Sequence, residues 1–148
     1  MQDAQSPEFA ANPADCNCLA IRQAARQVTQ LYDGHLAAAG LRSTQYSILS
    51  RIARLGPLPI NKLADAMVMD RTTMGRALRP LERDRLVAMG PSKDDGRVRT
   101  IRLTPSGEKR LALARTLWLK AQEEFEAGYG ASAAAGLRWA LGRVVEAV

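Results

Sequence analysis

Arg76, Arg79 and Arg83 recur at i, i+3 and i+7, a spacing that sets them along one side of a helix and apart from the apolar Met74, Leu78 and Leu81. Arg71, Thr72 and Thr73 sit where that helix would begin. Lys93, Arg97 and Arg99 follow on a segment whose Asp95-Gly96 pair signals a tight turn. Guanidinium forks and short hydroxyl donors are the groups that read base edges and hold phosphates, and a helix N-terminus favours anions. The chemistry on offer is therefore recognition of a polyanion. The parts for catalysis are missing: the single histidine, His35, allows no H-E-x-x-H site. There is also no G-x-x-x-x-G-K phosphate loop and no G-x-S-x-G elbow.

The charge distribution agrees. The 148 residues are 47% apolar and 24% charged, which suits one globular domain. Lys and Arg number 21 against 15 Asp and Glu, a net +6, and residues 60–110 carry +5 of it. No run approaches the roughly 20 apolar residues of a membrane span, and Met1 to Glu8 lacks the layout of a signal peptide, so a cytoplasmic protein is expected. Cys16 and Cys18 are too close for a disulfide framework. With His35 they fall short of the about four ligands of a structural zinc site within one chain, and no metal or cofactor is expected.

The elements that must carry these residues can be read from periodicity. Residues 1–14 read as a flexible arm. Ile21, Ala25, Val28, Tyr32 and Leu36 mark a first helix from about Asp15, closed by Gly40. Ser43 is placed to cap a second helix through Leu55, where Gly56-Pro57 stops it; an extended Leu58-Pro59-Ile60 follows. A third helix fits Asn61 to about Met67, and Asp70 is placed to cap a fourth from Arg71 to about Leu86 with Pro80 inside it. The two together have the layout of a helix-turn-helix. The period then becomes 2: Val87-Ala88-Met89 and Val98 to Leu103 predict a hairpin with Ile101 and Leu103 facing the core and Arg97 and Arg99 towards the tip. Thr104-Pro105 opens a fifth helix, with Thr104 as its cap, Pro105 at the favoured first position and Gly107 tolerated. Leu111, Ala114, Trp118, Ala121 and Phe125 form its stripe. A last helix after Gly128-Tyr129-Gly130 aligns Leu137, Leu141, Val144 and Val148.

Across about residues 16–125 the sequence resembles the MarR family of bacterial winged helix-turn-helix transcriptional regulators. The resemblance is carried by Leu63-Ala64 with Met69-Asp70-Arg71-Thr72-Thr73, by Leu78-Arg79-Pro80-Leu81-Glu82, and by Asp95-Gly96-Arg97 with Leu103-Thr104-Pro105-Ser106-Gly107. It implies a mainly α fold with a small β-hairpin wing, a winged helix-turn-helix joined to a helical dimerisation region. Residues 15–148 would be one such domain, with dimerisation helices at 15–40 and 105–148 and the DNA-binding region at 43–104. It further implies a homodimer on a pseudo-palindromic double-stranded operator, acting as a repressor.

The DNA contacts expected are Arg71, Thr72, Thr73, Arg76, Arg79, Lys93, Arg97 and Arg99. Release by a small aromatic or phenolic effector would draw on Tyr32, His35, Tyr46 and Trp118. The start of the first helix is similar to the organic-hydroperoxide-sensing branch of the family, in which the cysteine matching Cys18 is oxidised and a tyrosine matching Tyr32 orients it. Here Arg22 replaces a second tyrosine of that pattern and Cys16 is an added thiol. A peroxide sensor and a dimerisation module that binds no DNA are the alternatives.

Overall fold

The computed structural model describes residues 15–148, so the arm expected at 1–14 lies outside the described residues. Helix α1 (Asn17–Leu36) runs into a 3-10 turn, Ala37–Ala39, which Gly40 ends at φ +68. Helices α2 (Ser43–Leu55), α3 (Ile60–Ala66) and α4 (Arg71–Arg83) follow, then strands β1 (Val87–Pro91) and β2 (Arg99–Leu103), then α5 (Pro105–Tyr129) and α6 (Ala131–Ala147). The architecture is mainly α with one antiparallel hairpin, as expected.

Apolar residues at the predicted spacings close the core. Leu36 of α1, Ile48, Leu49 and Ile52 of α2, Leu63 of α3, and Met74, Leu78 and Leu81 of α4 are all buried, and Leu86, just before β1, and Ile101 of β2 join them. Burying each such side chain is worth about 1.5–3 kcal/mol. In the hairpin Val87 pairs with Leu103, Met89 with Ile101 and Pro91 with Arg99. The extended segment at Leu58 forms a third edge: its N–H and C=O bond Ile101 at 3.2 and 2.9 Å, so β2 lies between two partners.

Several boundaries differ from the sequence reading. Ser43 is the first residue of α2 and does not cap it. Arg42 holds the cap position, its N–H bonded to Gln45 Oε1 at 2.9 Å, while Ser43 N–H donates to Asp33 Oδ1 of α1 at 2.7 Å. The chain therefore satisfies this helix start with a tertiary contact that spacing cannot reveal. Helix α4 ends at Arg83, three residues early, because Arg85 turns left-handed at φ +57. Val98 belongs to the turn, and β1 extends to Pro91.

Thr104 caps α5 as expected and does more. Its hydroxyl accepts from Gly107 N–H at 3.0 Å and donates to Arg85 O at 2.6 Å, and its N–H donates to Leu86 O at 3.0 Å. Gly107 is required there and not merely tolerated, since a Cβ at this position would lie 2.0 Å from Leu86 O. Backbone atoms cannot yield as a side-chain tip can. Gly107→Ala is expected to destabilise the chain by about 1–3 kcal/mol in chemical denaturation, the range for overpacking; an unchanged midpoint would show that the α5 start can slide.

Candidate nucleic-acid interface

Helix α4 is built to present its first turn. Asp70 takes the N-cap position with extended φ and ψ; its Oδ1 accepts from Thr73 N–H and its Oδ2 from the Thr73 hydroxyl, both at 2.7 Å. Those two bonds, the backbone one first, hold the Asp70 carboxyl below its ordinary value of 3.8. The Thr73 hydroxyl has spent its proton on Asp70 and can only accept from a ligand, whereas the Thr72 hydroxyl makes no such bond. Arg71, Thr72, Thr73, Arg76 and Arg79 are all exposed, opposite the buried Met74, Leu78 and Leu81. Arg83 is bonded to Asp84 at 3.3 Å.

The turn between α3 and α4 is unusual. Val68 is 71% exposed and sits at φ +54, a conformation in which a β-branched side chain is strained. Met69 N–H closes the turn on Ala64 O at 2.9 Å.

At the hairpin tip Asp95 serves the turn. Its Oδ1 accepts from Arg97 N–H at 3.0 Å and its carbonyl from Val98 N–H at 3.0 Å, while Ser92 N–H reaches Val98 O at 2.7 Å. No ion pair joins Asp95 to Arg97 or Arg99. Lys93, Arg97 and Arg99 are exposed.

The residues named for an effector separate into two places. Tyr46 of α2 and Trp118 of α5 stack with ring centres 5.8 Å apart and planes 22° apart. They border a cleft of about 1340 Å³ between α2, α3, β2 and α5. Sequence reasoning missed that Arg51, Arg54, Arg102 and Arg115 also line it, with Glu108 as the one carboxylate among the lining residues. Part of that signal was present, since Arg115 lies three residues before Trp118 on the same helix side. Burial raises the Tyr46 phenol above its ordinary value.

Tyr32 and His35 instead tie α1 to α5. The Tyr32 hydroxyl donates to Gln122 Oε1, and His35 Nε2 pairs with Glu124 Oε2 at 2.6 Å. Burial, aided by Glu126, pushes the Tyr32 phenol up.

Helix α1 begins at Asn17, one residue before Cys18, and Cys16 is its cap. Cys16 Sγ accepts from Leu19 N–H at 3.4 Å, and both thiols are exposed. Cys18 and Tyr32 are fourteen residues apart on α1, about 21 Å along the axis at about 1.5 Å per residue, so they do not meet within one chain. Among the described residues no group of His, Cys, Asp and Glu side chains is arranged to hold a metal, and no helix is long and apolar enough to cross a membrane.

Comparison with known proteins decides the family. The MarR family profile matches residues 41–98. The Mycobacterium tuberculosis transcriptional regulator MosR, solved in complex with DNA, is 36% identical, with a TM-score of 0.77 over 90% of this chain and 98% of its own. The chain belongs to the MarR family. MarR-family members are transcriptional regulators and not enzymes. A probable transcriptional regulator from Pseudomonas aeruginosa is 26% identical, with a TM-score of 0.79 over 90% of this chain and 99% of its own. The Streptomyces coelicolor regulator PcaV, in complex with its natural ligand, shares the fold at a TM-score of 0.81, 21% identity and coverage of 93% and 97%. No curated protein sequence matches.

The depressed carboxyl of Asp70 gives this MarR-family chain a pH signature. Because the folded value lies below the unfolded one, the cap contributes fully above 3.8 and its contribution is lost as pH falls through the lower folded value. Asp70→Asn keeps an acceptor for Thr73 N–H but cannot titrate. Acid unfolding curves of wild type and Asp70→Asn should therefore converge as the pH falls below 3.8. A constant gap across that range would show that the carboxylate charge contributes nothing.

Proposed function

We propose that the protein is a homodimeric, sequence-specific repressor that holds double-stranded DNA through α4 in the major groove and through the hairpin on the adjacent minor groove or backbone. The observation that carries this reading is the exposed face of α4, whose first turn is capped by Asp70 and presents Arg71 and Thr72, with Arg76 and Arg79 following on the next two turns. That end of a helix is where base edges and phosphates are met. The exposed Lys93, Arg97 and Arg99 supply a second hold. In twofold symmetry the two copies of α4 would meet major grooves about 34 Å apart, which calls for a pseudo-palindrome. MosR, at 36% identity, is a DNA-bound relative that supports the same role.

The dimer is supported by the apolar surface the single chain leaves open. Leu19 and Ile21 of α1, Leu113 and Leu119 of α5, and Trp139, Leu141, Val144 and Val145 of α6 are all exposed, whereas α6 buries only Ala134. A soluble domain seldom leaves such a surface bare. The dimerisation helices would be 15–40 and 105–148, flanking a DNA-binding region at 43–104. A module that only dimerises leaves the basic turn and α4 without a partner, and the salt test below separates the two.

The signal that releases DNA would be a small organic anion with a flat ring, received between the Tyr46–Trp118 stack and the four arginines of the cleft. A second reading rests on the cap made by Cys16. Oxidation of that thiol by a hydroperoxide, which is itself reduced to an alcohol, yields a sulfenic acid and alters the acceptor for Leu19 N–H.

Duplexes selected from genomic fragments provide the test. Wild type should bind with log K falling steeply in log salt. Arg97→Ala is expected to cost about 1–3 kcal/mol of affinity, and Lys93→Ala to reduce the salt slope by about one. Unchanged titrations for both would remove the hairpin from the interface. Trp139→Asp should shift the chain from dimer to monomer in sedimentation and weaken binding with it; a dimer that survives would place the interface elsewhere. Peroxide should release DNA from wild type and not from Cys16→Ser or Cys18→Ser if the thiols are the switch; release from all three would exclude them.

A further inference from the structure

Gly90 of β1 is buried and has no positive φ, so neither a turn nor backbone conformation explains a glycine there. A Cβ built on it would lie 2.6 Å from Arg102 Nη1 and 3.7 Å from Arg102 Cζ, and would meet no other atom within 4 Å. The guanidinium of Arg102 thus lies across the β1 backbone in the space that a side chain at position 90 would take. Gly90 pairs with Thr100 and Ala88 with Arg102, so the contact is the diagonal one that a long side chain can make across two antiparallel strands. Arg102 also lines the cleft. Its guanidinium forms no ion pair or hydrogen bond among the described residues. Arg102 is exposed overall, and its head lies over the strand at Gly90 with no acid as partner.

We infer that Gly90 and Arg102 form a seat and strut that set the pose of the hairpin, which makes Arg102 a positioning residue for DNA recognition and not a contact with DNA. The guanidinium is committed to the stem and the cleft side, whereas Lys93, Arg97 and Arg99 occupy the tip. Strand β2 is also bonded at Ile101 to Leu58, so a strut from β2 onto β1 adds a side-chain tie to the backbone ladder just below the point where core contacts give way to the tip. Removing the strut lets the tip wander and costs affinity through misplacement. This inference rests on the DNA-binding reading above.

The test uses Gly90→Ala, Arg102→Ala and the double variant, with Lys93→Ala and Arg97→Ala alongside, on the selected duplex. The methyl of Gly90→Ala meets only the flexible end of Arg102, so it displaces the strut and leaves the backbone in place. Each single variant should weaken binding by about three- to tenfold, and the double variant by no more than Arg102→Ala alone, because the two act through one contact. The salt slope should stay at the wild-type value in all three, in contrast to the fall of about one expected for a lost phosphate contact. Thermal melts accompany each titration, and if Arg102→Ala does not fold, Gly90→Ala carries the test. A reduced slope in Arg102→Ala, multiplicative effects in the double variant, or wild-type affinity in Gly90→Ala would overturn the inference. If Arg97→Ala weakens binding while Gly90→Ala and Arg102→Ala do not, the strut alone fails. A wild type that binds no duplex overturns both readings.

Discussion

The joint at Thr104 is the constraint on which the rest depends. One hydroxyl receives the Gly107 N–H at the start of α5 and gives its own proton to the carbonyl of Arg85, a residue held left-handed just after α4. A left-handed arginine is disfavoured, and it persists only where neighbouring bonds over-determine it. Here Thr104 supplies them on one side and the bond from Leu86 N–H to Leu81 O on the other. The end of α4, the root of both strands and the first turn of α5 therefore form one rigid corner. Gly107 permits the corner to close, since any side chain would strike the Leu86 carbonyl.

From that corner the basic groups project on two arms of different stiffness. Helix α4 is held by a buried stripe and a capped first turn, so its arginines are carried on a fixed axis. The hairpin has core contacts at Val87, Met89 and Ile101 near its root and only turn hydrogen bonds at its tip. Positions on the helix suit reading of base edges, where small displacements matter, and positions on the tip suit phosphates, which tolerate displacement because charge attraction falls off slowly.

Much of this was legible from residue order because local rules carried it. The cap at Asp70, the cap at Thr104, the buried face of α4 and the hairpin parity all follow from signals within a few residues. What the sequence left hidden came from contacts between distant segments. Asp33 and Gln45 meet the start of α2 in place of Ser43, and the early end of α4 follows from the left-handed Arg85, which no pattern marks. The pairing of Leu58 with Ile101 joins segments over forty residues apart. The cleft shows the same division. Tyr46 and Trp118 stood out as aromatics, but Arg51, Arg54, Arg102 and Arg115 come from three elements and gather only when α2, β2 and α5 are packed. Tyr32 and His35, grouped with Tyr46 by residue type, belong to a separate seam between α1 and α5.

Gly130 ends α5 and begins α6, its N–H bonding Glu126 O and its carbonyl receiving Ala134 N–H, at φ +102. A single residue thus separates a helix of 25 residues from one of 17 that buries one alanine. A helix with so little to pack against in its own chain gains its cohesion from a second copy, and ordering of that segment becomes inseparable from association. In the proposed dimer, occupancy of an operator would then rise more steeply than in proportion to the number of chains present. Dosage would itself act as a control input, with scarce protein leaving genes open and modest accumulation closing them.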